Sequence, residues 1–201
     1  MQRFLKTCIQ NSWMLWERGF KWTSRFRCWN TFQFGICTVM IRKHRGARIV
    51  CEDSTIIREG DWIGEIHLNN HTVLQLIRTS GPDLAAIQSA RLLRKSMQQI
   101  SRAFDSQPEF RRVSALVGIS LLHRGLIHGL GFETQTMKPD LFQKITTSYL
   151  RLLLSALHPE GRGRIGRRTE VLIPMRLVHT RMSLNTRFSG GRMERAQAAG
   201  E

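Results

Sequence analysis

Hydrophobic and polar positions change their period along the chain. Residues 35–68 carry the short alternation of strands: "GICTVMIRKH" and "ARIVC" are rich in β-branched residues, and "DWIGEIHLNN" opens as a strand. "RG", "EDST" and "EG" supply the turns between them. The pattern predicts a small antiparallel meander with strands around 36–42, 47–51 and 62–68. In the last of these Glu65, His67 and Asn69 share one face, and Ile66 and Leu68 share the other, which is the predicted core face. Asn69 or Asn70 stands where a side chain would cap the next helix, which holds Val73, Leu74 and Ile77 and stops at "SGP".

Beyond Pro82 the period lengthens. Ile87, Ala90, Leu93, Met97, Ile100 and Phe104 form one apolar stripe of a helix over 83–104. Arg91, Lys95 and Arg102 lie on its other side, the ordinary place for a solvated basic row. Pro108 ends that segment. Further helices are predicted over 110–129 and 139–157, with "FETQT" as a short returning strand between them. Strands first and helices after, without βαβ alternation, predict an α+β fold: a small antiparallel sheet covered by three longer helices. An N-terminal amphipathic helix precedes this core and a basic C-terminal arm follows it. The expected division is a basic, Trp-rich amphipathic segment at 1–30, a core at 35–157, and an Arg-rich arm with a disordered tail at 158–201.

The charge balance sets the partner classes. The chain has 201 residues and 31 Lys+Arg against 15 Asp+Glu, a net charge of +16. Such a surface attracts polyanions: anionic lipid, nucleic acid or an acidic polymer. Residues 1–30 hold Trp13, Trp16, Trp22 and Trp29 beside Lys21 and Arg25, with Glu17 as the single acid. Tryptophan among cations suits a membrane interface, and equally a helix that packs its rings on its own core. The arm adds Arg162, Arg164, Arg167 and Arg168. Nucleic acid rests on charge alone, because no recognition motif accompanies it. No apolar run approaches the ~20 residues needed to span a bilayer. The cysteines at 8, 28, 37 and 51 match no zinc spacing, so free, buried thiols in a reducing compartment are expected, with no metal and no cofactor. A cytoplasmic location follows, peripheral on the inner face of the cell membrane.

The candidate chemistry centres on "GISLLHRGLIHGLGF", 118–132. Read as a helix, Leu116, Ile119, His123, Leu126 and Leu130 share one stripe, so His123 falls among buried residues and needs a hydrogen-bond partner. Partners are available near His67, Asn69 and Asn70 or on the return strand after Phe132, and a His67–His123 pair, or His67 with Glu133, would make a general base or a ligand pocket. His67, Asn70, His123 and Arg124 therefore make a candidate ligand pocket, set against a purely structural network. No GxSxG, P-loop, GxGxxG or HExxH is present, so no catalytic residue is assigned.

"GDWIGEIHLNN" followed by a long helix and then "VGISLLHRGLIHGLGFET" resembles the YkoP-like domain of bacteria, over about residues 35–180. The matching positions are Gly60, Asp61, His67, Leu68, Asn70, Gly118, His123, Arg124, Gly125, Leu130, Gly131 and Phe132. The resemblance implies a domain that occurs alone or appended to polysaccharide deacetylase-like enzymes, with no established reaction to transfer. This chain lacks the metal triad of those enzymes. A peripheral membrane accessory domain of envelope or polysaccharide metabolism, neighbouring envelope-building enzymes, is the first expectation. A small enzyme or ligand-binding domain is the second, and a basic nucleic-acid-binding protein the third.

Overall fold

The structure, a computed structural model, describes residues 29–120, 129–137, 147 and 174–188. Six strands build one mixed sheet: β1 (Asn30–Phe34), β2 (Cys37–Lys43), β5 (Trp62–Leu68), β6 (Ala115–Ser120), β7 (Glu133–Thr136) and β8 (Met175–Thr180), in the order β1-β2-β5-β6-β8-β7. Two short strands, β3 (Ile49–Val50) and β4 (Ile56–Ile57), form a separate antiparallel ribbon. The helices are α1 (Asn70–Ser80), α2 (Pro82–Ser106) and α3 at 181–188.

This architecture corrects the expected small antiparallel sheet under three long helices. The sheet is large and mixed, because β5 and β6 run parallel, with Ile63 beside Ala115 and Glu65 beside Val117. Parallel neighbours need a long crossover, and α1 and α2 supply it. The predicted helix over 110–129 is replaced, in its described part, by a short 3-10 turn ending at Phe110 and the strand Ala115–Ser120. Its apolar run reflects burial on both faces: Leu116 faces the α2 side and Val117 the ribbon side. The basic arm is also corrected. Met175–Thr180 forms β8, paired antiparallel with both β6 and β7. The expected strand around 47–51 belongs to the ribbon and not to the main sheet. The predicted N-terminal helix, the helix over 139–157 apart from residue 147, and residues 158–173 and 189–201 lie outside the described residues.

One face of the sheet packs on α2. Val39, Ile41 and Leu116 meet Leu93, Met97, Ile100 and Phe104 there, with Phe110 and Leu184 closing the cluster. On the other face the ribbon lays Ile49, Cys51 and Ile57 over Ile63, Ala115, Val117 and Val178. Two glycines allow the tight layering. A Cβ on Gly64 would stand 2.9 Å from Leu116 Cδ2, and one on Gly118 would stand 2.9 Å from Ile66 Cγ2. Cys37 and Cys51 are buried free thiols, and burial pushes them up to about 12 and about 11.

The stripe of α2 differs at its N-terminal end from the predicted one. Ala85, Ser89 and Ser96 turn inward beside Leu93 and Met97, and Ile87 is exposed. Small serines let the helix approach closely, and Ser96 Oγ accepts from the Ile36 amide at 3.2 Å. Asn69, not Asn70, caps α1: its Oδ1 accepts from the amides of His71 and Thr72 at 3.1 and 3.3 Å.

Candidate functional site

β5 places its side chains by strict alternation. Ile66 and Leu68 pack toward the core on α2, while Glu65 and His67 project from the opposite face. The ribbon covers the apolar part of that face. Beyond it stands a partly buried polar cluster of Arg42, Glu65 and His67. Arg42 Nε donates to Glu65 Oε2, and His67 Nε2 lies 2.9 Å from Glu65 Oε1. Arg42 Nη1 also donates to the Lys43 carbonyl at 3.1 Å. The cross-strand register explains the pairing. Met40 stands opposite Glu65, so Arg42 is its diagonal neighbour on β2.

Burial pushes the Glu65 carboxyl up. The hydrogen bond and charge of His67 and the guanidinium of Arg42 outweigh that effect and hold it at about 2, below its ordinary 4.5. A carboxylate so fixed orients two cationic or potentially cationic groups on one sheet face. That arrangement can hold an anion or pass a proton through an imidazole.

The candidate pocket residues are distributed as follows. His67 is in the cluster, and Asn70 is the first residue of α1 at the carboxyl end of β5. His123 and Arg124 lie outside the described residues. The strand parts of the two motifs, on β5 and β6, are parallel neighbours. The helical stripe that placed His123 does not exist as such, since Leu116 and Ile119 are strand residues on opposite faces. The His67–Glu133 pair is also corrected. Glu133 is on β7, with β6 and β8 between it and β5; its carboxylate accepts from the Glu52 amide at 2.8 Å and from Gln135 Nε2 at 2.6 Å. Trp13, Trp16, Lys21, Trp22, Arg25, Arg162, Arg164, Arg167 and Arg168 lie outside the described residues.

Sequence reasoning missed Arg42, whose role appears only once β2 and β5 are in register. It also missed His179. This imidazole is 1% exposed on β8, its Nε2 donates to the Leu130 carbonyl at 3.2 Å, and its Nδ1 accepts from Ser183 Oγ at 2.6 Å. Burial, with Arg187 adding to it against the Leu130 carbonyl, pushes it down to about 4. The ring is flanked by Phe132 and Phe188, with centroids 5.0 and 6.0 Å away. A Ser–His contact this sealed serves structure: it ties the Gly129–Phe132 stretch to β8, and Arg187 Nη2 donates to the Gly129 carbonyl at 2.7 Å beside it. The i, i+4 spacing of His179 and Ser183 was the only signal in the sequence.

The family model for the YkoP domain matches residues 6–188. A protein of Bacillus subtilis (strain 168) described as "Uncharacterized protein YkoP" is 28% identical over 142 residues, covering 66% of this chain and 72% of that relative. No solved structure matches the chain significantly. With the motif-bearing strands β5 and β6 side by side and the family match spanning all the described elements, the chain belongs to the YkoP domain family.

Proposed function

We propose that the chain is a peripheral accessory domain that works on an anionic membrane surface, on its cytoplasmic side and beside envelope-building enzymes. The observation that carries this reading is charge. The chain holds twice as many Lys+Arg as Asp+Glu, and the excess in residues 1–30 sits among tryptophans. Each basic residue close to such a surface adds about 1 kcal/mol, so a handful is enough for docking. No helix among the described residues is long and apolar enough to cross a membrane. The envelope part of the proposal draws only on the resemblance to domains appended to deacetylase-like enzymes.

Sedimentation with vesicles tests the proposal. Binding to phosphatidylglycerol-containing vesicles, weakened by added salt and absent on phosphatidylcholine, is the expected result. Equal partition onto both vesicle types, or none onto either, rejects it.

A second reading is favoured by the Arg42–Glu65–His67 cluster: a binding site for a small anionic ligand. Inorganic phosphate is a simple probe. Titration followed by amide NMR should move signals around Glu65 and His67 in the wild type and leave them unmoved in Arg42→Gln. Shifts that are absent, or scattered over the surface and unaffected by Arg42→Gln, would remove this reading.

A further inference from the structure

We infer that the outward face of α2 is a docking surface for an anionic bilayer. This rests on the membrane reading above and assigns it a place in the fold. Residues Leu84, Ile87, Arg91, Lys95 and Arg102 recur at steps of three, four or seven, with Arg91 and Lys95 four apart. At 3.6 residues per turn they fall in one sector of about 80°, directly opposite the side that buries Leu93, Met97 and Ile100. The two aliphatic side chains are 57% and 52% exposed, and the three cations are exposed as well. Between Asp83 and Asp105 the chain contains no acidic residue, so Arg91 and Lys95 stand clear of any acid on their own helix; Asp105, three residues past Arg102, accepts from Asn185 Nδ2 at 3.1 Å.

The order along the helix has a chemical meaning. Two large aliphatic groups stand at the N-terminal end, and the cations follow over a further two to three turns. The helix is already anchored in the core by its other side, so it can lie flat without refolding. Aliphatic tips can enter the headgroup boundary while Arg91, Lys95 and Arg102 meet lipid phosphates. A nucleic-acid backbone would satisfy the cations but would leave Leu84 and Ile87 without a role, and no aromatic side chain stands in this row to stack on a base. Charge complementarity plus an exposed aliphatic pair therefore favours the bilayer. Arg94 is omitted from the surface because its Nη2 reaches toward the Gly129 carbonyl at 3.5 Å.

The experiment uses the full chain, with phosphatidylglycerol/phosphatidylcholine vesicles, pure phosphatidylcholine vesicles and a duplex DNA probe. Two variants are compared with wild type: R91Q/K95Q/R102Q and L84S/I87S. All substituted positions are exposed, and unchanged circular dichroism and melting temperature verify the fold. Each cation near the surface is worth about fivefold in partition, so the triple variant should lose at least about tenfold on anionic vesicles. The aliphatic variant should lose several-fold, and its loss should persist in high salt, where charge is screened. Lys95→Glu gives an independent single-site check, with a larger loss than Lys95→Gln. If wild type binds anionic vesicles and both variants bind equally well, α2 is not the surface, although the membrane reading stands. If wild type itself ignores anionic vesicles, the membrane reading fails and this surface fails with it. DNA binding that depends on the three cations, without vesicle binding, would reassign the face to nucleic acid and overturn the inference.

Discussion

Glu65 and His67, two residues apart on β5, meet side by side on the sheet face away from α2, with Glu65 Oε1 2.9 Å from His67 Nε2. Alternation puts residues i and i+2 on one face, and Arg42 on β2 closes the cluster from the next strand. Glu65 is ionised at about 2 in the fold against an ordinary 4.5. Its folded value is depressed, so its contribution to stability is full above about pH 4.5 and is lost as pH falls toward about 2. We expect Glu65→Gln to cost on the order of 2–3 kcal/mol at neutral pH. The gap between wild type and variant should close across that acid window, read by urea denaturation at several pH values. A gap that stays constant down to pH 2 would contradict the assigned ionisation.

His179 predicts a different window. Its folded value, about 4, lies below the ordinary 6.5, because burial disfavours the imidazolium. Between those values the unfolded chain binds the proton and the folded chain does not, so stability falls as pH drops from about 6.5 to about 4. The size is on the order of 3 kcal/mol. His179→Gln can retain a donor to the Leu130 carbonyl but does not titrate. Its melting temperature should start lower than wild type near pH 7 and decline less between pH 6.5 and 4. Parallel declines in the two proteins would exclude His179 as the source.

The parts legible in the sequence are those where one face is wet. β2 alternates cleanly, the end of β5 sets Glu65 and His67 against Ile66 and Leu68, α1 begins at an Asn cap, and the middle of α2 shows its stripe. β6 was not legible, because Ala115, Leu116 and Val117 are all buried and a continuous apolar run has no period to read. β8 was hidden by composition: Met175–Thr180 sits between Arg-rich stretches, although it is an interior strand of the sheet. The apolar pattern points Ile87 inward because serine does not read as a core residue, yet Ser89 and Ser96 take the close-packed positions. Of the Arg42–Glu65–His67 cluster, the sequence singles out His67 as a candidate. Arg42, the partner of Glu65, depends on the register of two strands separated by the β3–β4 excursion, which no local pattern encodes.

Gly118 has a packing reason that a substitution exposes. A Cβ there would press on Ile66 at 2.9 Å from Cγ2 and 3.2 Å from the backbone oxygen. The oxygen cannot swing away, so β5 and β6 must separate slightly. Gly118→Ala should cost about 1–3 kcal/mol, measured by urea denaturation. A neutral result would mean that the two strands tolerate a wider spacing than the structure has.

Arg181 links α3 to the end of α2. Its Nη1 donates to the Phe104 carbonyl at 2.8 Å; its Nη2 donates to the carbonyls of Phe110, of Val113 at 2.9 Å, and of Arg111 at 3.3 Å. The guanidinium also lies 4.9 Å from the centre of the Phe104 ring. These acceptors gather where α2 ends and the chain turns into β6, and a planar fork with several donors can serve them together. A lysine has the charge but presents a point donor without the plane. Arg181→Lys should therefore lose about 1–3 kcal/mol, and Arg181→Met should lose more, because several carbonyls are then left without this donor. The order wild type, Lys, Met in melting temperature checks the claim. If Lys equals wild type, positive charge alone is what the site needs, and the shared hydrogen bonding is not what holds α3 in place.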